Sequence, residues 1–452
     1  MHPLDLLLFL LLIAWPLARL LGWHRSQLLA MGFALTVVLG LPFYLAFGLL
    51  RWPVAPGLLM LIIWEVQAVS IMVGDVPPPP RTRRARYLSF AAALLLVALV
   101  AALPAGLLPR TPPFVPTGTF LAGVVDVTWP DTTRSDTAGG PYLLPVRLWF
   151  PAEPAPKPRR AKRHRAMAAF ESDLATLLPG QPGPWIVRGL TRAPIPIFAD
   201  MRLATRQRSY PVVILSHGAP GSPALLATLA TELASNGYVV AAPEHLGASL
   251  GSVLPDDRYV PIRVTDLEPR VAAPEWAARA AADGRAVVAG LRMLMEDDSA
   301  GRFTGRLQLN EVAWVGQGSG ALAGAALAAE GMISALVALD PTEDVSSPEQ
   351  EAAVLVVGRD GNGPRSGSGD AVFRVEMPSA GMADFNDLAW WSPPLLRRAG
   401  LGGQLSARVA QDAVHRLTVS FLGAWTRHEP ANLRGLVDSL PGVHLAGPQP
   451  AG

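Results

Sequence analysis

The stretch Val312–Ala321 reads Val-Ala-Trp-Val-Gly-Gln-Gly-Ser-Gly-Ala. Its apolar residues up to Gly316 predict a buried strand, and the small residues from Ser319 onward predict a helix. A sharp strand-to-helix turn with the pattern G-x-S-x-G exposes its serine as a nucleophile. Here Gly316 and Gly320 match the pattern, but the middle position is Gly318. The stretch therefore predicts a strand–turn–helix unit whose nucleophile position is a glycine.

Short apolar segments alternate with helical segments on both sides of this turn, over residues 118–430. Such alternation is typical of an α/β domain with a mostly parallel sheet and helices on both faces, and its site lies at the carboxyl ends of the strands. Together with the turn, it predicts the α/β-hydrolase fold. The predicted strands include Pro211–Ser216, Tyr238–Ala242, Glu311–Val315 and Ile333–Leu339. Residues 431–452 are expected to form a flexible tail.

The composition predicts a membrane module before this domain. The 452-residue chain is 50% hydrophobic and only 16% charged, which is typical of proteins with membrane segments. Apolar runs long enough to cross a hydrocarbon core of about 30 Å occur in residues 1–110; they are Leu4–Trp23, Leu28–Leu50, Val54–Val73 and Leu88–Leu108. We expect four transmembrane helices rather than a cleaved signal peptide, because three further runs follow the first.

Basic residues give this module an expected orientation. The arginines between positions 81 and 86 place the third connection in the cytoplasm. The chain is then a multi-pass plasma-membrane protein with its large domain outside the cytoplasm. Its expected partners are the lipid bilayer and a membrane protein. Glu65 is either a functional acid or a protonated group bonded to a neighbour, and the basic loop Lys157–Arg165 is either solvated or in contact with anionic lipid.

Charge and motifs exclude several other classes of function. A net charge of +2 argues against a nucleic-acid partner. The chain has no cysteine, so it has no disulfide, thiolate metal site or cysteine nucleophile. It also shows no zinc-ligand spacing, phosphate loop or dinucleotide fingerprint. We therefore expect no metal and no cofactor.

Five blocks of the large domain carry a family resemblance. They are Leu-Pro-Val-Arg-Leu-Trp-Phe-Pro-Ala at 144–152, Tyr-Pro-Val-Val-Ile-Leu-Ser-His-Gly at 210–218, Leu-Ala-Ser-Asn-Gly-Tyr-Val-Val-Ala-Ala-Pro-Glu-His at 233–245, Ala-Leu-Asp-Pro at 338–341 and Gly-Met-Ala-Asp-Phe-Asn-Asp-Leu at 381–388. Together they resemble the platelet-activating factor acetylhydrolase family of the plasma and bacterial type, and through it the dienelactone-hydrolase-like esterases. The resemblance covers nearly all of the large domain and none of the four apolar runs.

This resemblance implies a lipid or ester hydrolase with a serine–histidine–aspartate triad. In the present chain Gly318 occupies the nucleophile position, Met382 the histidine position and Asp340 the acid position. The backbone N–H groups of Ala219 and Ser319 occupy the oxyanion positions. Glycine offers no nucleophile and a thioether accepts no proton at useful pH, so the resemblance leaves most of the chemistry absent. Asp340 is expected to cap or to form a salt bridge instead.

Three functional hypotheses follow. In the first, the chain is an inactive or strongly impaired hydrolase that keeps a pocket for a lipid or acyl ligand, near His217, Gly218 and His245. In the second, it is an active lipid esterase with a relocated nucleophile such as Ser319. In the third, it is a non-enzymatic docking subunit of a membrane complex. Each histidine also has a structural interpretation, in which it is buried and hydrogen-bonded.

Overall fold

The structure is a computed structural model. It describes residues 55–73, 114–135, 141–155, 195–254, 256–263, 269–343, 351–359, 372–390, 393–398 and 400–446, together with positions 13, 14, 16, 17, 21, 82–85, 87, 88, 90–92, 95 and 345. The chain divides into two compact units. The first comprises Met1–Arg110 and Leu178–Arg192, and the second comprises Thr111–Leu177 and Ala193–Gly452.

The described strands all lie in the second unit. They are β1 (Leu121–Ser135), β2 (Pro141–Ala152), β3 (Ile197–Phe198), β4 (Tyr210–Ser216), β5 (Val239–Pro243), β6 (Ser252–Val253), β7 (Tyr259–Val260), β8 (Leu307–Gln317), β9 (Ala335–Leu339), β10 (Ala353–Gly358), β11 (Val372–Glu376) and β12 (His444–Leu445). In the part of the chain that the structure describes, ten of them form one sheet in the order β12-β11-β10-β9-β8-β4-β5-β2-β1-β3, and β6 pairs with β7.

The helices of the second unit flank this sheet. The first unit contains α1 (Ala55–Val73), and the second contains α2 (Ala227–Ser235), α3 (Pro269–Glu296), α4 (Ser319–Ala329), α5 (Pro393–Arg398), α6 (Ala407–Thr426) and α7 (Leu433–Asp438). Short 3-10 helices span Pro223–Leu226, Met382–Phe385 and Asp387–Trp390. The last residues before α6 include Ser406, whose hydroxyl caps the helix by accepting from the Val409 N–H.

The parallel centre of the sheet confirms the α/β prediction. The pairs β5–β4, β4–β8, β8–β9, β9–β10 and β10–β11 are all parallel. Successive residues of β4 point to opposite faces, so Val213 and Leu215 pack with α2 and α6, whereas Val212 and Ile214 pack with α3 and α4. Burial on both faces explains the unbroken Val- and Ile-rich strands. The ends of β4, β5, β8, β9 and β10 therefore meet at one edge.

The prediction of a four-helix transmembrane module is wrong. Among the residues described, no helix combines the length and the apolar character that crossing a bilayer requires. Helix α1 has 19 residues, and Glu65 and Gln67 interrupt its apolar run. The other three predicted spans lie almost wholly outside the described residues, as does the basic loop at 157–165. The multi-pass plasma-membrane location and the extracytoplasmic placement, which rested on this module, are corrected with it.

Two other segments with a stated expectation lie among the described residues. Glu65 is half-buried in α1, and burial raises the pKa of its carboxyl above the ordinary value. The expected tail at 431–452 contains α7 and β12, and β12 pairs antiparallel with β11. Val437, Leu440 and Val443 are buried against the sheet, which explains why this segment packs rather than extends into solvent.

Candidate active site at the carboxyl edge of the sheet

The turn between β8 and α4 has the geometry that its sequence predicts. Gly318 lies between the two elements with φ 54° and ψ −120°, a conformation that L-residues rarely adopt. A Cβ on Gly316 would lie 2.3 Å from the Gly320 carbonyl oxygen, and a Cβ on Gly320 would lie 2.6 Å from the Ser216 carbonyl oxygen. The outer glycines are therefore required because the backbone segments approach so closely.

Space is available at the middle of the turn. A Cβ built on Gly318 would have the Gly218 Cα, at 3.9 Å, as its nearest neighbour, which is an ordinary van der Waals contact. The Gly318 N–H donates to the carbonyl oxygen of Leu339, at 2.9 Å, so the turn is fixed to the end of β9. The site thus keeps the backbone frame of a nucleophile turn and the room for a side chain there.

The two residues expected to supply the oxyanion donors, Ala219 and Ser319, are hydrogen-bonded to each other. The Ala219 N–H donates to the hydroxyl oxygen of Ser319, with 3.0 Å between the nitrogen and Oγ. Ser319 is the first residue of α4 and is 8% exposed. Its side chain is therefore hydrogen-bonded to one of the two backbone donors that the family resemblance assigns to the oxyanion.

Asp340 pairs with an arginine. It follows β9 directly, is 5% exposed, and its Oδ1 accepts from Arg359 Nε at 2.8 Å. Burial raises the pKa of the Asp340 carboxyl, and the guanidinium of Arg359 partly offsets that rise. Within the described segments no histidine is hydrogen-bonded to Asp340. Asp340 therefore forms a salt bridge, which is one of the two roles expected for this acid.

Met382 lies at the start of the 3-10 helix Met382–Phe385 and is half-buried. Two neighbouring acids have backbone partners. Asp384 accepts from the N–H groups of Gly381 and Gly403, at 2.7 and 3.0 Å. Asp387 accepts from the N–H and the hydroxyl of Thr228, and burial raises its pKa to about 7. Asp384 is bonded to the backbone of Gly403 and Asp387 to α2, so neither carboxylate is free to act as a base at the β8–α4 turn.

A buried Ser–His–Asp chain lies at the ends of β4 and β5. Ser216 Oγ is 2.8 Å from His245 Nε2, and His245 Nδ1 is 2.8 Å from Asp283 Oδ2. Arg134 Nη2 donates to Asp283 Oδ1 at 2.6 Å. The order of contacts is that of a catalytic triad. The exposed fractions of the serine, histidine and aspartate are 0%, 3% and 1%, so a substrate cannot reach the serine, and the chain of contacts is structural.

His217 is also buried and fully bonded. Its Nδ1 lies 2.8 Å from the Gly218 carbonyl oxygen and its Nε2 lies 2.9 Å from Ser249 Oγ. A ring nitrogen that faces a carbonyl must donate, so Nδ1 carries the proton and Nε2 accepts from the serine. Burial, followed by the neighbouring His245, lowers the pKa of His217 to about 3. This imidazole is neutral and has no free nitrogen for a substrate proton.

Part of the chain matches a known protein family. Residues 137–254 match the family model described as platelet-activating factor acetylhydrolase, isoform II. Over these residues the chain is similar to platelet-activating factor acetylhydrolases. The matched region includes the loop after β4, but it ends before Gly318. Curated protein sequences give no significant match.

A solved structure shows the same fold around the acetylhydrolase-like region. The ferulic acid esterase from Streptomyces cinnamoneus aligns with a TM-score of 0.56 and 20% sequence identity. The alignment covers 75% of this chain and 100% of that chain. At this identity the likeness establishes the fold alone. It confirms the α/β-hydrolase fold predicted for the large domain of the acetylhydrolase-like chain.

Three residues of this edge were not predicted from the sequence, namely Arg134, Asp283 and Arg359. Asp283 did leave a signal, because it is an acid on a helix face otherwise made of buried residues such as Ala280 and Val287. Arg359 follows β10 directly, where side chains reach the edge of the sheet. Within the described residues, no group of three His, Asp or Glu side chains is placed to hold a metal ion.

Proposed function

We propose that this acetylhydrolase-like protein binds a lipid or acyl ligand at the turn without hydrolysing it. The observation that carries the proposal is the turn itself. Gly318 has the backbone conformation and the space of a nucleophile position, yet it has no side-chain oxygen. Acyl transfer by this fold requires an oxygen nucleophile, a base and an acid that orients the base.

The other two positions of the expected triad support the proposal. Met382 has a thioether, which accepts no proton at useful pH. The carboxylate of Asp340 is bonded to Arg359, and a charged guanidinium cannot act as a general base. Loss of one triad member costs several orders of magnitude in rate, and further losses add little because the members act as a unit. We therefore expect no esterase activity at a physiological rate.

Labelling with a fluorophosphonate probe tests the absence of a nucleophile. The full-length protein is incubated with the probe, and covalent adducts are located by mass spectrometry. We expect no adduct on any serine of the carboxyl edge. Binding is measured separately by calorimetric titration with dodecanoate, a soluble acyl probe. Binding of dodecanoate that weakens in Gly318→Trp, which fills the space at the turn, supports the ligand role; absence of binding contradicts it.

A second candidate function is an active esterase that uses Ser319. One observation favours it. Ser319 Oγ accepts an N–H bond from Ala219, and such a bond stabilises a developing alkoxide. Against it, the described histidines His217 and His245 have other partners on both ring nitrogens. An adduct on Ser319 that disappears in Ser319→Ala would establish this candidate. The docking-subunit hypothesis relied on the transmembrane helices and is not carried forward.

A further inference from the structure

Ser319 has an unusual double position at the turn. By the family resemblance its backbone N–H is one oxyanion donor, and the Ala219 N–H is the other. The Ser319 side chain accepts from that second donor, with Oγ 3.0 Å from the Ala219 nitrogen. Ser319 is 8% exposed, and its hydroxyl contacts the loop after β4. The Ser319 hydroxyl thus occupies the Ala219 N–H, which is the donor expected to act together with the Ser319 N–H.

This contact determines what the donor can bind. An oxyanion is stabilised when donors lie about 2.7–3.1 Å from the position of its oxygen. The hydroxyl oxygen of Ser319 already lies at such a distance from the Ala219 nitrogen. A single N–H forms one well-aligned hydrogen bond, so a ligand oxygen must displace the hydroxyl before it can use this donor.

We infer that the Ser319 hydroxyl closes the oxyanion site of this chain to ligand oxygens. The inference rests on the proposed function and adds a third change to the two at Gly318 and Met382. It makes Ser319 a positioning residue, which acts through the Ala219 N–H. Introducing a serine at 318 and a histidine at 382 would therefore leave the Ala219 donor still occupied by the Ser319 hydroxyl.

Amide hydrogen exchange tests the contact without any need for catalysis. Exchange at the Ala219 N–H is measured at single-residue resolution in the wild-type protein, Ser319→Ala and Ser319→Thr. Ser319→Ala removes the acceptor, so we expect exchange to become faster by about fivefold, the factor of one ordinary hydrogen bond. Ser319→Thr keeps an acceptor hydroxyl, so we expect it to exchange like the wild-type protein.

A control variant separates this effect from general loosening. Ser334→Ala removes the hydroxyl of a half-buried serine that lies 3.4 Å from the Val312 carbonyl oxygen, away from the Gly318 turn. We expect no change at Ala219 in this variant. An unchanged exchange rate in Ser319→Ala, or an equal acceleration in Ser334→Ala, would overturn the inference.

Kinetics test the consequence for catalysis. The double variant Gly318→Ser/Met382→His is compared with two triple variants that add Ser319→Ala or Ser319→Thr, and the substrate is 4-nitrophenyl acetate. One oxyanion donor is worth about 10²–10³ in kcat. We expect the alanine triple variant to exceed the double variant by at least about tenfold in kcat, and the threonine triple variant to match the double variant.

The outcomes are distinguishable from failure of the proposed function. Hydrolysis by the wild-type protein would contradict the proposed function and leave the Ala219 contact to be judged by exchange. A triple alanine variant that is no faster than an active double variant would overturn the inference. A slower one would show that the hydroxyl donates to the oxyanion. If neither variant turns over, the exchange experiment alone decides.

Discussion

The carboxylate of Asp340 lies behind the guanidinium of Arg359. The acid is 5% exposed and the arginine 34%, so the surface at this point presents the cation. The acid cannot lose its partner without leaving a buried charge, and a buried unpaired charge is expensive. A histidine introduced at 382 would have to compete with Arg359 for this carboxylate. The pair therefore stabilises the present arrangement of the two side chains.

Arg359→Ala should lower stability in a pH-dependent way. At pH 7.5 we expect a loss of about 1–2 kcal/mol, because the arginine is a third exposed and the pair is partly screened. Without the arginine, the folded-state pKa of Asp340 rises further above its ordinary value of 3.8. The protonated acid needs no partner, so the loss should shrink as the pH falls toward 3.8.

Urea unfolding at pH 4 and pH 7.5 measures this loss, and Arg359→Lys is the matched control because it keeps the positive charge. We expect the lysine variant to lose less stability than the alanine variant at pH 7.5. A loss in Arg359→Ala that is equal at both pH values would show that the carboxylate of Asp340 gains nothing from the guanidinium.

The β8–α4 turn depends on three glycines for different reasons. At Gly316 and Gly320 a side chain would meet backbone atoms at 2.3 and 2.6 Å, distances that real Cβ atoms do not reach. At Gly318 the obstacle is only the positive φ of 54°, because the space is open. A strained φ for a non-glycine residue costs about 1–3 kcal/mol, and natural nucleophile turns accept that cost.

Alanine substitutions should rank these glycines. We expect Gly318→Ala to lower the free energy of unfolding by about 1–2 kcal/mol. Gly316→Ala and Gly320→Ala should each cost more than about 3 kcal/mol, because a backbone segment must move. Chemical denaturation of the three variants provides the comparison. An equal cost at all three positions would mean that the turn relaxes and that the frame is not preserved.

The buried Ser216–His245–Asp283 contacts join β4, β5 and α3, and Arg134 adds β1. They connect the end of β4 to the loop after β5 and to α3. Both histidine contacts are 2.8 Å, and all three side chains are almost fully buried. Buried polar groups of this kind fix one arrangement because each unsatisfied member is costly.

Asp283→Asn should therefore destabilise the domain more than Ser216→Ala. The asparagine leaves the Arg134 charge without its anionic partner on α3 and can present a donor to His245 Nδ1, so we expect a loss of about 2–4 kcal/mol. Ser216→Ala removes one neutral hydroxyl and should cost about 1 kcal/mol. Denaturant midpoints measure both values. A cost of Asp283→Asn below that of Ser216→Ala would show that the acid is not the anchor of this network.

Local sequence was sufficient for the turn and for the parallel sheet around it. The glycines Gly316, Gly318 and Gly320 are the residues that this turn requires, and the central strands β4, β5, β9 and β10 are almost continuous apolar runs. The pairs Asp340–Arg359 and His245–Asp283 could not be predicted in this way, because their partners lie 19 and 38 positions apart and meet only in the folded chain. Hydropathy alone predicts membrane spans in residues 1–110, whereas no helix among the described residues is long and apolar enough to cross a membrane.

The described part of the second unit has the α/β-hydrolase fold. The sheet and the β8–α4 turn are in place, and the loop after β4 is hydrogen-bonded to Ser319. We propose that the catalytic pair is absent and that the frame is used to bind a ligand.

Hydrolysis of 4-nitrophenyl acetate by the wild-type protein and by Gly318→Ser/Met382→His tests that proposal most directly. We expect no hydrolysis above background by the wild-type protein. The double variant should gain a measurable rate that a fluorophosphonate abolishes. Wild-type hydrolysis that survives purification to homogeneity and is abolished by the same inhibitor would contradict the proposed loss of catalysis.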